Sequence, residues 1–208
     1  MTDNHAKINA RSYNRIADWW DENRKNRPTD PMILKLISML PEGACVLDVG
    51  CGTGRPIARA LSENGFSVTG IDPAENMLKK AEKLNLRNAE FFKTDLLSYV
   101  PDKTFDAVIA FDSVFHISLA DQPKIYPKIA KLLNPSGLFL FTHGKMHGSV
   151  EGEMQNEPFL YAALDKTELK TLLHKENFEI LQFTEDYKDP ITGTRDLVVI
   201  ARKGEMKK

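Results

Sequence analysis

Apolar and polar positions along the chain follow two periods, one typical of strands and one typical of helices. Short runs rich in β-branched and aromatic residues alternate with segments whose apolar residues recur every three or four positions. The runs predict strands at 45–49, 66–72, 89–95, 105–111 and 137–143. The periodic segments predict helices at about 56–64, 74–84 and 122–133. This βαβ alternation predicts an α/β fold, a mostly parallel sheet with helices on both faces.

The two ends of the chain follow other patterns. Amphipathic segments predict helices at about 10–22 and 31–40, which would make residues 1–40 an N-terminal helical cap. Asp165 and Glu168 are spaced as a helix capping pair and predict a helix to about 176. Strand-like runs at 178–184 and 196–202 then predict an antiparallel hairpin. We therefore expect a single domain over 1–208, with seven strands and the last pair at one edge.

Residues 144–163, GKMHGSVEGEMQNEPFLYAA, show no clear period. Irregular segments of roughly twenty residues are uncommon inside a compact domain unless they form a lid or a binding loop. We expect this segment to be irregular and to cover the substrate.

Composition excludes some classes of partner. The 208 residues include 42% hydrophobic residues, enough for one sizeable core. With 28 basic and 29 acidic residues the net charge is −1, so no overall field attracts nucleic acid or an anionic membrane. The densest basic run, Arg24, Lys25 and Arg27, has acidic neighbours and predicts a solvated face.

The two cysteines indicate a reducing compartment. Cys45 lies in the first predicted strand and Cys51 in the turn after it. Their separation of about six mostly extended residues spans on the order of 20 Å, beyond the roughly 7 Å that a disulfide allows between Cα atoms. The sequence also shows no signal-peptide core and no long apolar window. We expect a soluble, cytoplasmic protein, a monomer or a homodimer.

The stretch VLDVGCGTG, residues 46–54, carries the strongest signal for a ligand. Its glycines let the backbone turn tightly and approach a ligand closely. A dinucleotide fingerprint needs a third glycine where this chain has Arg55. Asp48 lies two residues before the first glycine, and a carboxylate there is costly unless a cation or a hydrogen-bond donor meets it. A pyrophosphate would repel Asp48, whereas a ligand with an ammonium group would bind it.

Five segments together resemble one family. They are VLDVGCGTG, VTGIDPAENML, FFKTDLL, FDAVIAFDSVFHI and LLNPSGLFLFT. In order and spacing they resemble the class I S-adenosylmethionine-dependent methyltransferases over nearly the whole chain. The resemblance implies a Rossmann-like sheet, S-adenosylmethionine as the cofactor and S-adenosylhomocysteine as its product.

The resemblance also implies where the cofactor would lie. Its methionine end would be wrapped by Gly50, Cys51, Gly52, Thr53 and Gly54. Asp48 would lie near the ammonium group, and Asp72 would accept hydrogen bonds from both ribose hydroxyls.

The rest of the cofactor would meet residues further along the chain. Asp95 and the Leu96 amide would meet the adenine edge, while Pro73 and Met77 would pack near the ring. The Phe111 backbone would lie beside the amino acid portion.

Several of these residues also fit a purely structural role. Members of the family often place an N-terminal aromatic residue over the cofactor, and Tyr13 and Trp20 are candidates, although amphipathic helices also bury such residues in the core. Met77 could likewise be a core residue. Asp72 and Asp95 could cap a helix and a turn.

Methyl transfer mainly requires that the acceptor be positioned, water excluded and, where needed, a proton removed. His116 follows the fourth predicted strand and His143 ends the fifth, at the edge where such sheets bind ligands. Each histidine is a candidate base or a structural hydrogen-bonding residue. Asp112 nearby could contact the cofactor amine or the substrate.

The residues argue against a metal and against a nucleic-acid substrate. His143, His147, Glu151 and Glu153 form a loose group whose spacing fits no compact metal motif, so we expect no metal. Amino-methyltransferases of nucleobases carry Asn or Asp, two prolines and an aromatic residue after the fourth strand. This chain has 112–115, Asp-Ser-Val-Phe, and no basic stripe.

We therefore expect a methyltransferase for a small-molecule acceptor, enclosed by the N-terminal helices and residues 144–163. Two alternatives stay open. The first is a catalytically silent S-adenosylmethionine-binding regulatory protein, which would share every cofactor residue. The second is a nicotinamide-dependent oxidoreductase, which Asp48 and the missing third glycine disfavour.

Overall fold

The alternation of strands and helices is present in a computed structural model, which describes residues 3–205. The helices are α1 (Asp3–Arg24), α2 (Pro31–Met39), α3 (Ile57–Glu63), α4 (Glu75–Glu82), α5 (Gln122–Leu132) and α6 (Lys166–Lys175). The strands are β1 (Cys45–Val49), β2 (Ser67–Asp72), β3 (Ala89–Lys93), β4 (Phe105–Ala110), β5 (Leu133–His143), β6 (Gly148–Met154), β7 (Glu157–Ala163), β8 (Phe178–Asp189) and β9 (Gly193–Lys203).

Seven strands form one sheet in the order β3-β2-β1-β4-β5-β9-β8. Strands β1 to β5 pair in parallel, and β9 pairs antiparallel with both β5 and β8. The predicted fold class is confirmed, including the C-terminal hairpin at one edge. The chain winds outward in opposite directions from β1 and β4, and an open α/β sheet binds ligands at the carboxyl ends of such a pair.

The core lies on both faces of this sheet because successive strand residues point to opposite sides. Leu47 and Val49 of β1 lie in one apolar cluster, together with residues of α5 and α6. Val46 lies in a second cluster, together with residues of α2 and α3. Helices on both faces therefore bury β1 completely, which fits its nearly continuous apolar sequence.

Helix α1 is longer than the sequence pattern predicts and covers the carboxyl edge of the sheet. Ile16 and Ala17 pack with Ala74 and Met77 of the α4 region and with Phe159 of β7. The helix has 22 residues and a mixed polar sequence. Neither α1 nor any other helix between residues 3 and 205 has the apolar length needed to cross a membrane.

The expectation that residues 144–163 are irregular is wrong. Strands β6 and β7 form a separate two-stranded antiparallel sheet over this segment. Their turn, Gln155 and Asn156, has φ values of 54° and 58°, as a two-residue hairpin turn requires. The usual sequence signal for such a turn is Asn-Gly or Asp-Gly, and the exposed β6 lacks a clean apolar alternation. Both local signals of a hairpin are therefore weak here.

The capping pair predicted for the last helix is confirmed. The Asp165 carboxylate accepts hydrogen bonds from the amides of Thr167 and Glu168, and the Glu168 carboxylate accepts one from the Asp165 amide. This reciprocal capping box satisfies amides that the first turn of α6 leaves without helical partners.

A pair of phenylalanine truncations tests where the core lies. Phe139 of β5 is fully buried and stacks on Phe141 with ring centroids 4.3 Å apart, whereas Phe92 of the edge strand β3 is 44% exposed. We expect Phe139→Ala to lower the free energy of unfolding by about 3–5 kcal/mol through lost burial and a cavity. Phe92→Ala should lower it by less than about 1 kcal/mol. Urea denaturation measures both, and equal losses would contradict the assignment of this core.

Candidate active site

The turn after β1 folds back against β2. The amides of Gly50 and Cys51 both donate to the Ile71 carbonyl, over N–O distances of 2.8 and 3.1 Å. Gly50 and Gly52 have φ values of 72° and 54°, a region that favours glycine. A Cβ on Gly50 would also lie 2.5 Å from the Cβ of Ser113, so no larger residue fits there without movement.

Asp72, at the end of β2, fixes this turn from the side. Its Oδ2 accepts a hydrogen bond from the Gly52 amide at 3.0 Å, and its Oδ1 accepts one from the Ala74 amide at 2.7 Å. Burial raises the pKa of Asp72 to about 6, although both amide hydrogen bonds act to lower it. The carboxylate thus holds the glycine turn and the approach to α4, and it also lines the cavity described below.

Asp48 is a buried carboxylate with an unpaired oxygen. Its side chain is 2% exposed, and its Oδ2 has no hydrogen-bond partner among the described residues. Burial, and after it the charge of Asp72, raises the pKa of Asp48 to about 7. An unpaired buried carboxylate is costly, so a ligand that brings an ammonium group or another donor is favoured at this position.

A cavity opens above the glycine turn, between the carboxyl ends of the strands and α1. It brings together most of the site residues predicted from the sequence. Those that line it are Tyr13, Trp20, Asp48, Gly50, Cys51, Gly52, Asp72, Pro73, Met77, Asp95, Leu96, Phe111 and His116. The predicted residues outside it are Thr53, Gly54 and His143.

Thr53 and Gly54 lie within the turn, behind the cavity. Thr53 is fully buried, and a Cβ on Gly54 would meet Leu84 at 3.1 Å and Ala81 at 3.3 Å. Gly54 therefore lets the turn pack closely against the α4 region.

Three of the lining residues have a structural role as well. The Asp95 Oδ1 accepts hydrogen bonds from the Leu97 and Ser98 amides at 2.9 and 3.0 Å, so Asp95 does stabilise a turn. Met77 is 1% exposed and belongs to the apolar cluster under α1. Tyr13 packs edge-on against Trp20, with ring centroids 5.3 Å apart. The structural role that the sequence left open is therefore present at these three positions, which also line the cavity.

Tyr13 and His116 form a hydrogen-bonded pair beside the cavity. The His116 Nδ1 lies 3.1 Å from the Leu160 carbonyl oxygen, which can only accept, so this nitrogen carries the proton. In the neutral ring Nε2 is then an acceptor, and the Tyr13 hydroxyl donates to it over 2.9 Å. The arrangement fixes one tautomer of His116 and leaves the Tyr13 oxygen able to accept a further hydrogen bond.

Asn9 positions the carbonyl that orients His116. Its Nδ2 donates to the Leu160 carbonyl at 2.9 Å, and its Oδ1 accepts from the Leu160 amide at 2.8 Å. Helix α1, the β6–β7 hairpin and the short 3-10 turn that carries His116 therefore meet at Leu160. No local sequence pattern marks Asn9, because its partner is 151 positions away.

The surroundings of His116 keep its ring neutral. Its ring centroid lies 5.0 Å from that of Tyr161 and 5.9 Å from that of Phe159. Burial lowers the pKa of His116 to about 4, against smaller opposing effects from the Leu160 hydrogen bond and the Asp112 charge. Burial also raises the pKa of the Tyr13 hydroxyl well above its usual value.

His143 has different surroundings. It is 2% exposed, its Nδ1 faces the Gly144 carbonyl, and its Nε2 lies 3.2 Å from the side-chain oxygen of Gln122. Burial lowers its pKa as well. Both ring nitrogens thus face acceptor oxygens of the fold, and a neutral ring can donate to only one of them. His143 also lines a second cavity, beneath the β6–β7 hairpin.

The loose group of possible metal ligands does not come together. His147 pairs with Glu168, with 2.7 Å between its Nδ1 and Oε2, while His143 bonds to Gln122. Within residues 3–205 no three His, Cys, Asp or Glu side chains are arranged to hold a metal ion.

The basic run is not the solvated face that the sequence predicts. Arg24 and Arg27 are half-buried and line the cavity, and Lys25 is the one residue of the three that is exposed. Arg195, which the sequence did not single out, also lines it. Its Nε and Nη2 donate to the two Asp112 oxygens at 2.9 and 2.8 Å. The sequence analysis did not assign Arg24 and Arg27 to the cavity because acidic residues flank them in sequence. No local pattern marks Arg195.

Comparison with known proteins agrees with this geometry. Residues 46–137 match the protein family described as a methyltransferase domain. Squalene methyltransferase 1 from Botryococcus braunii is 38% identical over 106 residues, which are 48% of this chain and 28% of that protein. Phosphoethanolamine N-methyltransferase 2 from Caenorhabditis elegans is 34% identical over 158 residues, 74% of this chain and 33% of that protein. The chain thus spans a third or less of either relative.

A solved structure is similar over almost the whole length. It is that of the Burkholderia thailandensis 1,6-didemethyltoxoflavin-N1-methyltransferase with bound 1,6-didemethyltoxoflavin and S-adenosylhomocysteine. The TM-score is 0.76 at 20% identity, covering 99% of this chain and 91% of that one, a likeness of fold. Residues 46–137, which include the glycine turn, thus resemble a methyltransferase domain, and the likeness over the rest of the chain is one of fold.

Proposed function

We propose that this protein transfers a methyl group from S-adenosylmethionine to a small-molecule acceptor. The observation that carries the proposal is the buried Asp48 oxygen without a partner, beside a turn in which Gly50 leaves no room for a Cβ. A ligand that brings an ammonium group to Asp48 and lies against bare backbone fits this site. S-adenosylmethionine has such an amino acid end.

The relatives support a small acceptor and leave its chemistry open. By their names they act on squalene, on phosphoethanolamine and on 1,6-didemethyltoxoflavin. The free thiols of Cys45 and Cys51 favour a reducing compartment, which supports the cytoplasm as the location.

The cofactor residues divide into two groups. Asp72 uses one lone pair of each oxygen on the Gly52 and Ala74 amides, so its remaining lone pairs can accept from ribose hydroxyls. Asp95 uses only Oδ1 on the protein, which leaves Oδ2 for the adenine edge, with the Leu96 amide beside it. Met77 and Pro73 line the same part of the cavity and would pack against the ring.

S-adenosylmethionine supplies a methyl group already activated on a sulfonium, so the protein needs chiefly to position the acceptor and exclude water. Tyr13 and Trp20 line the cavity on the side of α1 and pack against a cluster that includes Phe159 of the hairpin. An acceptor proton can pass to the Tyr13 oxygen while the Tyr13 hydroxyl proton moves to Nε2 of His116. His116 is neutral at pH 7 and therefore free to take it; no comparable role follows for His143.

Calorimetric titration tests the cofactor. S-adenosylmethionine and S-adenosylhomocysteine should bind with dissociation constants of about 1–100 μM, and NADH should not bind, because Asp48 repels a pyrophosphate. Asp72→Ala should weaken the binding of S-adenosylhomocysteine by about 1.5–3 kcal/mol for each hydrogen bond lost, which raises the dissociation constant roughly tenfold or more.

The matched control is Asp102→Ala, which removes the same charge from an exposed loop. It should leave the affinity unchanged. Binding of NADH alone, or equal effects of the two substitutions, would remove the cofactor assignment.

A second prediction separates binding from turnover. His116→Ala should leave the affinity for S-adenosylhomocysteine near that of the wild type and lower turnover by about 10²–10⁴-fold, because the proton acceptor is lost. Turnover is measured by mass spectrometry as S-adenosylhomocysteine formed in a fractionated metabolite extract. His174→Ala, at the exposed end of α6, is the control. Undiminished turnover in His116→Ala would exclude the base, and a wild type that binds without any turnover would favour the silent regulatory protein.

The pH dependence of His116 gives a third prediction. With a pKa of about 4, the ring should remain neutral, with the proton on Nδ1, at about pH 5, where an ordinary imidazole is mostly charged. Between about pH 6.5 and 4 the His116 ring binds a second proton in the unfolded chain but not in the folded chain. The contribution of His116 to the free energy of unfolding is therefore complete above about pH 6.5 and is lost as pH falls towards 4.

Nitrogen-15 NMR of labelled histidine measures this directly, with the exposed His174 as the comparison in the same sample. Stability curves alone do not isolate it, because the raised pKa values of Asp48 and Asp72 act in the opposite direction. A doubly protonated His116 at about pH 6 would contradict the prediction.

A further inference from the structure

Two guanidinium groups at the cavity have no carboxylate partner. Arg24 lies over the Trp20 ring, 3.8 Å from its centroid, and Arg27 donates to the Thr192 carbonyl. Among the residues that the structure describes, neither takes part in an ion pair. Lys25, between them in sequence, lies outside the cavity and reaches Glu22 at 3.9 Å.

Two acidic groups that line the cavity, Asp112 and Asp30, are already engaged by another arginine. Arg195 holds Asp112 through two hydrogen bonds and reaches Asp30 with Nη1 at 3.3 Å. Its guanidinium also lies 4.4 Å from the centre of the Phe111 ring. With Arg24, Arg27 and Arg195 against Asp30 and Asp112, one positive charge is left in excess at this end of the cavity.

This excess is unfavourable without a ligand. Burial, followed by the charge of Arg27, lowers the pKa of Arg24 to about 10, so the group stays charged at pH 7. Two like charges near one another in a partly desolvated site raise each other's free energy. An anion relieves this repulsion, and a guanidinium donates to a carboxylate or a phosphate through two parallel N–H groups.

The position of Arg27 assigns the anion to the acceptor. Arg27, Asp112, Thr192 and Arg195 line both the cofactor cavity and the second cavity beneath the β6–β7 hairpin. None of the glycine-turn residues lines the second cavity. Arg27 thus lies where the two spaces meet, away from the residues proposed for ribose and adenine.

The same cluster lies close to the proton-accepting pair. Arg24 lies 3.8 Å from the centroid of the Trp20 ring, and that ring centroid lies 5.3 Å from that of Tyr13. A molecule held by one end at the guanidinium groups could therefore present its other end to the Tyr13 oxygen.

We propose that Arg24 and Arg27 form an oxyanion subsite for a carboxylate or phosphate group of the methyl acceptor. The acceptor is then an anionic small molecule that enters beneath the β6–β7 hairpin. This inference rests on the proposed function, since it concerns the second substrate of the same cavity.

The test is calorimetric titration of the protein saturated with S-adenosylhomocysteine, using inorganic phosphate and, in parallel, acetate at low ionic strength. We expect saturable binding of at least one of the two anions. Arg27→Gln should weaken it by about tenfold or more, as the loss of a charged hydrogen bond predicts. Arg27→Lys keeps the charge but cannot donate two parallel hydrogen bonds, so its affinity for the anion should lie between those of Arg27→Gln and the wild type. Lys25→Gln, the matched control with the same change of charge, should bind like the wild type.

Three results would overturn the inference. The first is no saturable anion binding by the wild type, and the second is an equal loss in Lys25→Gln, which would indicate a diffuse field. The third is a combined result: phosphate competes with S-adenosylhomocysteine for binding, and Arg27→Gln binds the cofactor about tenfold more weakly. That outcome would assign the arginines to the cofactor carboxylate.

Failure of the proposed function is distinguished by its own readout. If S-adenosylhomocysteine does not bind the wild type, the methyltransferase proposal fails. Phosphate titrated into the unloaded protein then shows whether an Arg27-dependent anion site exists, but its assignment to a methyl acceptor is lost in either case.

Discussion

The hydrogen bonds between the turn after β1 and the end of β2 are the constraint on which the site depends. The Ile71 carbonyl receives the Gly50 and Cys51 amides, and the Asp72 carboxylate receives the Gly52 amide. Because both strands are buried in the parallel sheet, this turn has no freedom to shift relative to β2. The contacts that give the turn its shape also hold the backbone of Gly50 and Gly52 against the cavity. At Asp72 the structural role and the proposed contact with ribose are therefore not separable.

The cover of the cavity depends on a different kind of contact. Asn9 bonds to both backbone groups of Leu160, whose carbonyl also receives the Nδ1 proton of His116. One residue of the hairpin thus fixes a helix 151 positions away and the tautomer of a histidine. If the hairpin moved to admit an acceptor, it would change the hydrogen bonding of His116 as well. Access to the cavity and the state of the proposed base are coupled through this single carbonyl.

The sequence predicts the parts of this protein that local patterns determine. The strands and helices of the main sheet follow from periodicity, and the glycine turn with Asp48 and Asp72 follows from spacing. The β6–β7 hairpin was missed because Gln155 and Asn156 are an unusual turn pair and because β6 is largely exposed. Contacts such as those of Asn9 could not be predicted, since they join residues far apart in sequence that only the folded chain brings together.

Among the described residues, the charged groups without an ion-pair partner indicate which ligands the cavity suits. At the glycine turn the unpaired group is a carboxylate, Asp48, and at the junction of the two cavities the unpaired groups are the guanidiniums of Arg24 and Arg27. No ion pair joins Asp48 to either arginine among the described residues, although all three line the same cavity. Each must therefore be satisfied from within the cavity, one by a cationic group and the other by an anionic group. A cofactor with an ammonium group and an acceptor with an acidic group meet both requirements at once.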